Sequence, residues 1–472
     1  MKEFDLIILG GGSAGYAAAS TASRLGLKVA VVEGGTEVGG LCILRGCMPS
    51  KTLIESANRY LTLRRAGEFG LSTGEIRFSV EEIQARKGQW VAEFAKYRAK
   101  QLETGRFQFI RGWAGFIDPH TVEIREPNGN LLQLTAETFL LATGSRRKTV
   151  EVPGLVETGF WDSDAVLAAP RVPASVVILG GGATAVEFAH FYSALGTKVT
   201  IIQRGIQLLK EMDGDVAQAL EDAFRHRSVS VHCHTQLLRA ERTDEGLKRV
   251  VFTQEGETHA VEAEEIIYAL GREPQLTGLN LEKIGLATTR GRLAVGPTQQ
   301  TLLPHIFAAG DVSGPHEIVH IAIQQGELAA RNIARLLKSN GEGAASRLEE
   351  IDYRLRLFVV FSEPEIGVVG MTERELQGEG ARYRVASYPF NDHGKSLIMG
   401  ETEGFVKLLA SEESGEIIGA AVIGPRASEL IHEAAVALRF RATARDLAEM
   451  PHYHPTLSEI WTYPAEELAQ GM

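Results

Sequence analysis

The chain has 472 residues, a length that allows about three or four domains, and its 44% hydrophobic and 23% charged content is ordinary for a soluble globular protein. Its net charge of −11 argues against nucleic-acid binding, which needs a basic surface. No apolar run approaches the roughly 18 residues of a membrane span, and the opening MKEFDLIILG lacks a signal-peptide pattern, so no membrane partner and a cytoplasmic location are expected.

Residues 4–10 form an almost continuous apolar run, the pattern of a buried parallel strand, and lead into Gly10-Gly-Gly12-Ser-Ala-Gly15. An alanine-rich helix is expected over 16–25 and a second strand over 28–32, ending at Glu33. In this order the residues make a dinucleotide fingerprint. Gly10 serves a tight turn, Gly12 lets the backbone approach a pyrophosphate, Gly15 lets helix and strand pack closely, and Glu33 can accept from an adenosine ribose.

Next comes GGLCILRGCMPSK, in which Cys42 and Cys47 stand close together although the chain has only three cysteines. Disulfide scaffolds are short and cysteine-dense, and a structural zinc site needs four ligands. Only Cys233, between His232 and His234, could join, with no matching spacing. A redox-active pair is the favoured reading over a structural bridge or a metal site. Bridging would require a departure from an ideal helix, which Gly46 and Pro49 permit.

Helices are expected over 51–65 and, amphipathic through Ile83, Trp90, Phe94 and Tyr97, over 80–103. Short strands are expected at 107–110, 121–125 and 131–134, with a turn at Pro127-Asn-Gly129. A further strand at 139–142 enters Thr143-Gly144-Ser145. After linker-like stretches at 152–154 and 170–173 the opening pattern repeats: strand 176–179, turn Gly180-Gly-Gly182-Ala-Thr-Ala185, helix 186–195, strand 198–202. Two fingerprints imply two dinucleotides, one held and one exchanged. A strand at 306–309 then ends in Gly310-Asp311, a turn suited to a cofactor hydroxyl, before a helix over 324–337. Residues 339–351 read as a polar linker. Beyond them, strands at 358–361, 405–409 and 416–423 with helices at 429–439 and 443–449 suggest an α+β domain for dimerisation.

The chain resembles the flavoprotein pyridine nucleotide–disulfide oxidoreductases, which include dihydrolipoamide dehydrogenase, glutathione reductase and mercuric reductase. The likeness rests on GGGSAG, the Cys-x4-Cys segment with PSK, ATGS, GGGATAVE, ALGREP, IFAAGDV, GFVKLL and HPTLSE, which together span nearly the whole sequence. It implies an α/β protein with two Rossmann-like domains, one for FAD (1–150) and one for NAD(P) (151–275). A central region (276–350) would complete the FAD site, and 351–472 would form a dimerisation domain. FAD would lie along Gly10, Gly12, Gly15, Glu33, Thr143 and Gly144, with Asp311 on its ribityl chain. The nicotinamide dinucleotide would lie along Gly180, Gly182, Ala185, Gln203, Arg204 and Gly271. Cys42 would attack the substrate disulfide, and Cys47 would face the flavin as a charge-transfer thiolate. Lys51 would pair with Glu187 near the flavin. His454, oriented by Glu459, would be the acid/base acting on the dithiol of a second subunit, so a homodimer would be required. His452 is read as supporting that pair. The chemistry agrees, because thiol–disulfide exchange needs a thiolate attacker, a protonated leaving group and a proton carrier near neutral pH.

Four departures carry information. The second fingerprint has Ala185 for its third glycine, and its second strand runs into Gln203-Arg204 where an NAD-specific relative places an acid; this favours NADP(H) over NAD(H). Leu41 stands where relatives commonly have Thr. Leu44 and Arg45 replace the usual Asn-x between the cysteines, and Arg45 is expected to favour an anionic substrate or the thiolate. The end, EELAQGM, lacks the cysteine pair of mercuric reductases, and no metal is expected. Dihydrolipoamide dehydrogenase-like exchange with a lipoyl-type dithiol is the leading expectation. The competitors are an NADPH-dependent reductase of another small disulfide or a quinone, and a flavoprotein scaffold or sensor with idle chemistry.

Overall fold

A computed structural model describes residues 2–289, 291–338 and 348–470. These fall into two units: Met1–Ser50 with Ala85–Lys148 and Gly271–Asp352, and Lys51–Gln84 with Thr149–Leu270 and Tyr353–Met472. The segment read as a polar linker lies outside the described residues over 339–347.

The first unit is built on a seven-stranded sheet. Gln108–Arg111, Val29–Glu33, Phe4–Leu9 and Leu131–Leu141 lie side by side, and Ile306–Ala308 also pairs with Leu131–Leu141, all in parallel. Four residues of Phe4–Leu9 are almost wholly buried without alternation (Leu6, Ile7, Ile8, Leu9), as a strand covered on both faces requires. Two short strands were expected at 131–134 and 139–142, but one strand spans Leu131–Leu141. Its first half pairs antiparallel with Thr121–Arg125 and alternates exposed and buried residues; its second half joins the parallel core and is continuously buried from Thr138. The polar residues between the two apolar stretches are satisfied within the sheet: Thr138 Oγ1 donates to the Asp5 carbonyl at 2.6 Å.

Helix Ser13–Arg24 buries Ala14, Gly15, Ala17, Ala18, Ala19, Thr21 and Ala22, a face of small residues that admits close packing. Helix Val319–Lys338 crosses it where Gly326 meets Ala14; a Cβ on Gly326 would stand 2.3 Å from the Ala14 carbonyl oxygen. This helix starts ahead of the expected residue 324 because Ile321 and Ala322 already belong to its buried face.

In the second unit, Ser230–His232, Lys198–Ile202, Ser175–Leu179 and Glu265–Tyr268 form a parallel four-stranded sheet. Three antiparallel strands, Thr235–Arg242, Lys248–Gln254 and Glu257–Ala263, form a second sheet. A five-stranded antiparallel sheet runs Leu357–Val360, Glu365–Gly370, Ile417–Gly424, Phe405–Ser411, Tyr383–Pro389, packed by helices Ala427–Arg439 and Thr462–Gln470. Two of its strands, Glu365–Gly370 and Tyr383–Pro389, went unread in the sequence. Tyr383–Pro389 lies at an edge, with Ala386 its only buried residue, so its apolar signal is weak. Beside this sheet Trp461 is fully buried, its indole N–H donating to the Leu430 carbonyl at 3.2 Å.

Candidate active site

A cleft of about 570 Å³ opens in the first unit. Gly10, Gly12, Glu33, Thr143, Gly144 and Asp311 line it, and so do Cys42, Arg45 and Cys47. The fingerprint and the dithiol, far from equivalent in sequence pattern, therefore face one space.

The glycines are there for steric reasons. Gly10 holds φ +110°, and a Cβ on it would lie 2.3 Å from the Ala142 carbonyl oxygen; one on Gly15 would lie 1.8 Å from the Gly10 oxygen. Gly12 caps helix Ser13–Arg24 without a side-chain partner, which leaves backbone N–H groups of the first turn available to a phosphate. Glu33 is clamped by two backbone donors, Gly11 N–H on Oε2 and Gly35 N–H on Oε1, both at 2.8 Å. Asp311 accepts from Ser145 Oγ at 2.6 Å. The turn carrying Asp311 is held by Gln325, which accepts from Gly310 N–H at 2.7 Å and donates to the Gly314 carbonyl at 2.9 Å. Gln325 went unread in the sequence, since a glutamine inside a helical pattern looks like solvent-facing surface. Thr143 Oγ1 donates to the Gln275 carbonyl. Cradle, carboxylate and helix terminus together fit a dinucleotide such as FAD.

The dithiol sits at a helix break. Cys42 is on Gly40–Leu44, Arg45 leaves helical geometry at φ −142°, and Cys47 begins helix Cys47–Arg64. Gly46 permits the chain to double back: a Cβ there would lie 3.1 Å from the Leu41 carbonyl oxygen and 3.4 Å from Cys42 Cα. The long helix was expected to begin at Lys51 and instead incorporates Cys47 and Pro49, proline being tolerated in a first turn. Arg45 is exposed. A cation unread in the sequence is Arg98, whose guanidinium lies 4.3 Å from the Tyr16 ring centroid. Burial lowers its pKa, while Tyr16 and then Cys42 oppose that, so its charge bears on the Cys42 sulfur. Arg98 Nε and Nη1 are buried without a hydrogen-bond partner among the described residues.

Within the second unit, Lys51 donates to both carboxylate oxygens of buried Glu187, at 2.9 and 2.7 Å, with its ammonium 4.9 Å from the Phe361 ring centroid. Glu187 Oε1 also accepts from Phe361 N–H at 3.1 Å. Gly180 holds φ +113° beside the Ala269 carbonyl, Gly182 caps helix Ala183–Ala194, and Ala185 is fully buried. Gln203 folds over Gly181 and its Nε2 donates to the Gln207 carbonyl at 3.3 Å; Arg204 is exposed. Gly271, in the first unit, holds φ +100° with open space around it.

His454 Nδ1 lies 2.9 Å from Glu459 Oε2; the histidine side chain is 79% exposed and the glutamate 11%, so the pair is anchored at one end and presented at the other. His452 makes its own pair, Nε2 to Glu433 Oε1 at 2.6 Å, rather than joining His454. Behind Glu459 stands a third histidine, His393, wholly buried. Asp213, Asp215 and Glu373 also converge, but the Lys407 ammonium occupies their centre, at 2.8–2.9 Å from each. Among the described residues no helix is long and apolar enough to cross a membrane.

Residues 4–326 match the family described as pyridine nucleotide-disulphide oxidoreductase, and 358–465 match that family's dimerisation domain. The chain is 34% identical to a dihydrolipoyl dehydrogenase of Geobacillus stearothermophilus, over 99% of this chain and 97% of the relative. It is 32% identical to one from Bacillus subtilis, over 97% and 96%. The crystal structure of LpdA from Mycobacterium tuberculosis superposes with a TM-score of 0.86 at 30% identity, covering 98% of this chain and 99% of that one. The HOCl-induced flavoprotein disulfide reductase RclA from Escherichia coli superposes with a TM-score of 0.83 at 25% identity, over 99% and 100%. With fingerprint, dithiol and fold in agreement, the chain belongs to the pyridine nucleotide–disulfide oxidoreductase family and is an FAD-dependent enzyme that works with a nicotinamide dinucleotide.

Proposed function

We propose that the enzyme exchanges electrons between NAD(P)(H) and a lipoyl-type dithiol through Cys42 and Cys47, acting as a homodimer. The observation that carries this reading is the single cleft lined by the fingerprint and by both cysteines. FAD, when bound along Gly10, Gly12, Gly15, Glu33 and Asp311, supplies the two-electron relay between the dithiol and the nicotinamide.

The chain's own residues handle sulfur and proton. A substrate thiolate attacks the Cys42 sulfur of the Cys42–Cys47 disulfide, and Cys47 leaves as a thiolate. The second substrate thiol then displaces Cys42, so the substrate closes to a disulfide and both cysteines are reduced by two electrons. His454 of a second copy takes the proton that each attacking thiol must lose and returns one to Cys42. Glu459 on Nδ1 fixes the tautomer and leaves Nε2 for that exchange. Lys51, held by Glu187, places a fixed cation one turn beyond Cys47 on their shared helix.

Gln203 replaces the carboxylate that would repel a 2′-phosphate, and exposed Arg204 follows it; on this ground we favour NADPH. Steady-state rates with lipoamide or dihydrolipoamide, glutathione disulfide and quinones, each with both nicotinamides, test the whole reading. The highest kcat/KM is expected for the lipoyl pair, with NADP(H) ahead of NAD(H), and Cys42→Ser should abolish it. Turnover of a quinone that outruns lipoamide and survives Cys42→Ser would contradict the dithiol role, and a strong NADH preference would contradict the cofactor assignment.

A further inference from the structure

His393 lies between strand Tyr383–Pro389 and helix Gly394–Met399, in a stretch without any family motif. Its side chain is 0% exposed, yet it carries two polar nitrogens, and a buried polar group without partners is costly. Nδ1 lies 2.9 Å from Oγ of Ser396, itself fully buried. Nε2 lies 3.3 Å from Glu459 Oε1, outside hydrogen-bonding geometry, and has no hydrogen-bond partner among the described residues. The other oxygen of the same carboxylate, Oε2, holds His454. One carboxylate thus bridges two histidines, one sealed and one exposed.

The chemistry fixes the tautomers. A carboxylate only accepts, so the proton facing Glu459 is on His393 Nε2, and Nδ1 accepts from the Ser396 hydroxyl. The Phe390 and Tyr463 rings flank His393 with centroids 6.4 Å away, and Tyr463 stacks on Tyr388, whose hydroxyl donates to Asp392 on His393's own segment; among the described residues Glu459 and His454 are the groups that act on its charge.

We propose that His393 is a positioning residue of the acid–base pair: its Nε2–H, 3.3 Å from Glu459 Oε1, attracts that oxygen electrostatically, which aims Oε2 at His454 and keeps the moving proton on His454. This rests on the acid/base reading of His454 above. Burial, the larger influence, lowers the His393 pKa; Glu459 opposes this and His454 adds to it, so the sealed ring stays neutral and turns its N–H dipole toward Glu459. A positive N–H end facing Oε1 also draws charge away from Oε2. Losing it leaves the full carboxylate charge on His454, which stabilises the imidazolium and postpones the neutral, proton-accepting form to higher pH.

The test is the pH dependence of dihydrolipoamide oxidation by the intact enzyme. His393→Phe should move the acid limb of kcat/KM upward by about one pH unit and lower kcat/KM about tenfold at pH values on that limb. His393→Gln, whose amide can donate to the same oxygen, should bring the limb back. Ser396→Ala, which frees the ring's tautomer, should shift the limb in the same direction by less, and decides the matter should the Phe variant fail to fold. A lower melting temperature with an unmoved limb in the Phe and Ala variants would overturn the proposal. His454→Gln separates the two ideas. If it loses the limb and most turnover while the His393 and Ser396 variants keep wild-type profiles, only the present proposal fails. If it retains wild-type turnover, the acid/base reading fails and this proposal with it.

Discussion

Arg98 gives the dithiol an electrostatic partner that neither thiol's sequence neighbours announce. Its guanidinium lies over the Tyr16 ring, and two of its nitrogens are buried without hydrogen bonds among the described residues. Such a charge is costly unless something nearby offsets it, and Tyr16 and then Cys42 are the groups that oppose the loss. Replacing Arg98 with Gln is expected to raise the pH at which Cys42 is alkylated by iodoacetamide in the dithiothreitol-reduced enzyme, read by mass spectrometry of the Cys42 peptide. An unchanged alkylation profile would remove Arg98 from the dithiol's chemistry. Arg45, the cation the sequence draws attention to, is exposed, and Arg45→Ala tests whether it acts on an anionic substrate instead. The contrast shows where sequence reading stops. Cys42, Cys47 and Glu33 stand out through their spacing and Glu459 through the family resemblance, whereas Arg98, Gln325 and His393 lie on elements with no motif and meet their partners only through tertiary packing.

At the scale of elements, strand–turn–helix order was readable because parallel strands are continuously apolar and their turns are glycine-rich. The boundaries that shifted did so where tertiary context overrode the local pattern: Leu131–Leu141 fused through polar residues that the sheet satisfies, and Cys47–Arg64 absorbed a proline in its first turn. The Lys407 cluster is an element-scale device. Strand Phe405–Ser411 sends one ammonium, 2% exposed, to Asp213, Asp215 and Glu373, which tie helices Gly214–His226 and Glu373–Glu379 to the sheet. Burial alone would lower the lysine's pKa, but the hydrogen bonds it donates to Asp215, Asp213 and Glu373 outweigh it and raise it. Lys407→Met would strand three carboxylates and is expected to destabilise the fold by about 3 kcal/mol, because breaking a buried pair leaves uncompensated charge. A urea midpoint equal to wild type would show the cluster to be energetically neutral.

For the whole molecule, acid stability has an identifiable contributor. His190 is almost completely buried with Nε2 2.6 Å from Asn58 Oδ1; burial pushes its pKa down to about 4, Arg227 and Arg65 adding to this against Glu363. The folded state keeps it neutral while the unfolded chain protonates near 6.5, so its contribution is intact above pH 6.5 and is lost as pH falls toward 4, by about 3 kcal/mol. The unfolding midpoint should drop across that window, and His190→Gln should flatten the drop; an unaltered slope would assign the acid sensitivity elsewhere. Function at this scale rests on one claim, that nicotinamide and substrate communicate through Cys42 and Cys47. Anaerobic titration of the FAD-loaded enzyme with dihydrolipoamide tests it most directly. A long-wavelength absorbance band should grow in with the first two electrons and be absent in Cys47→Ser; reduction that proceeds without the band in the wild-type protein, or a band that persists in Cys47→Ser, would contradict the account.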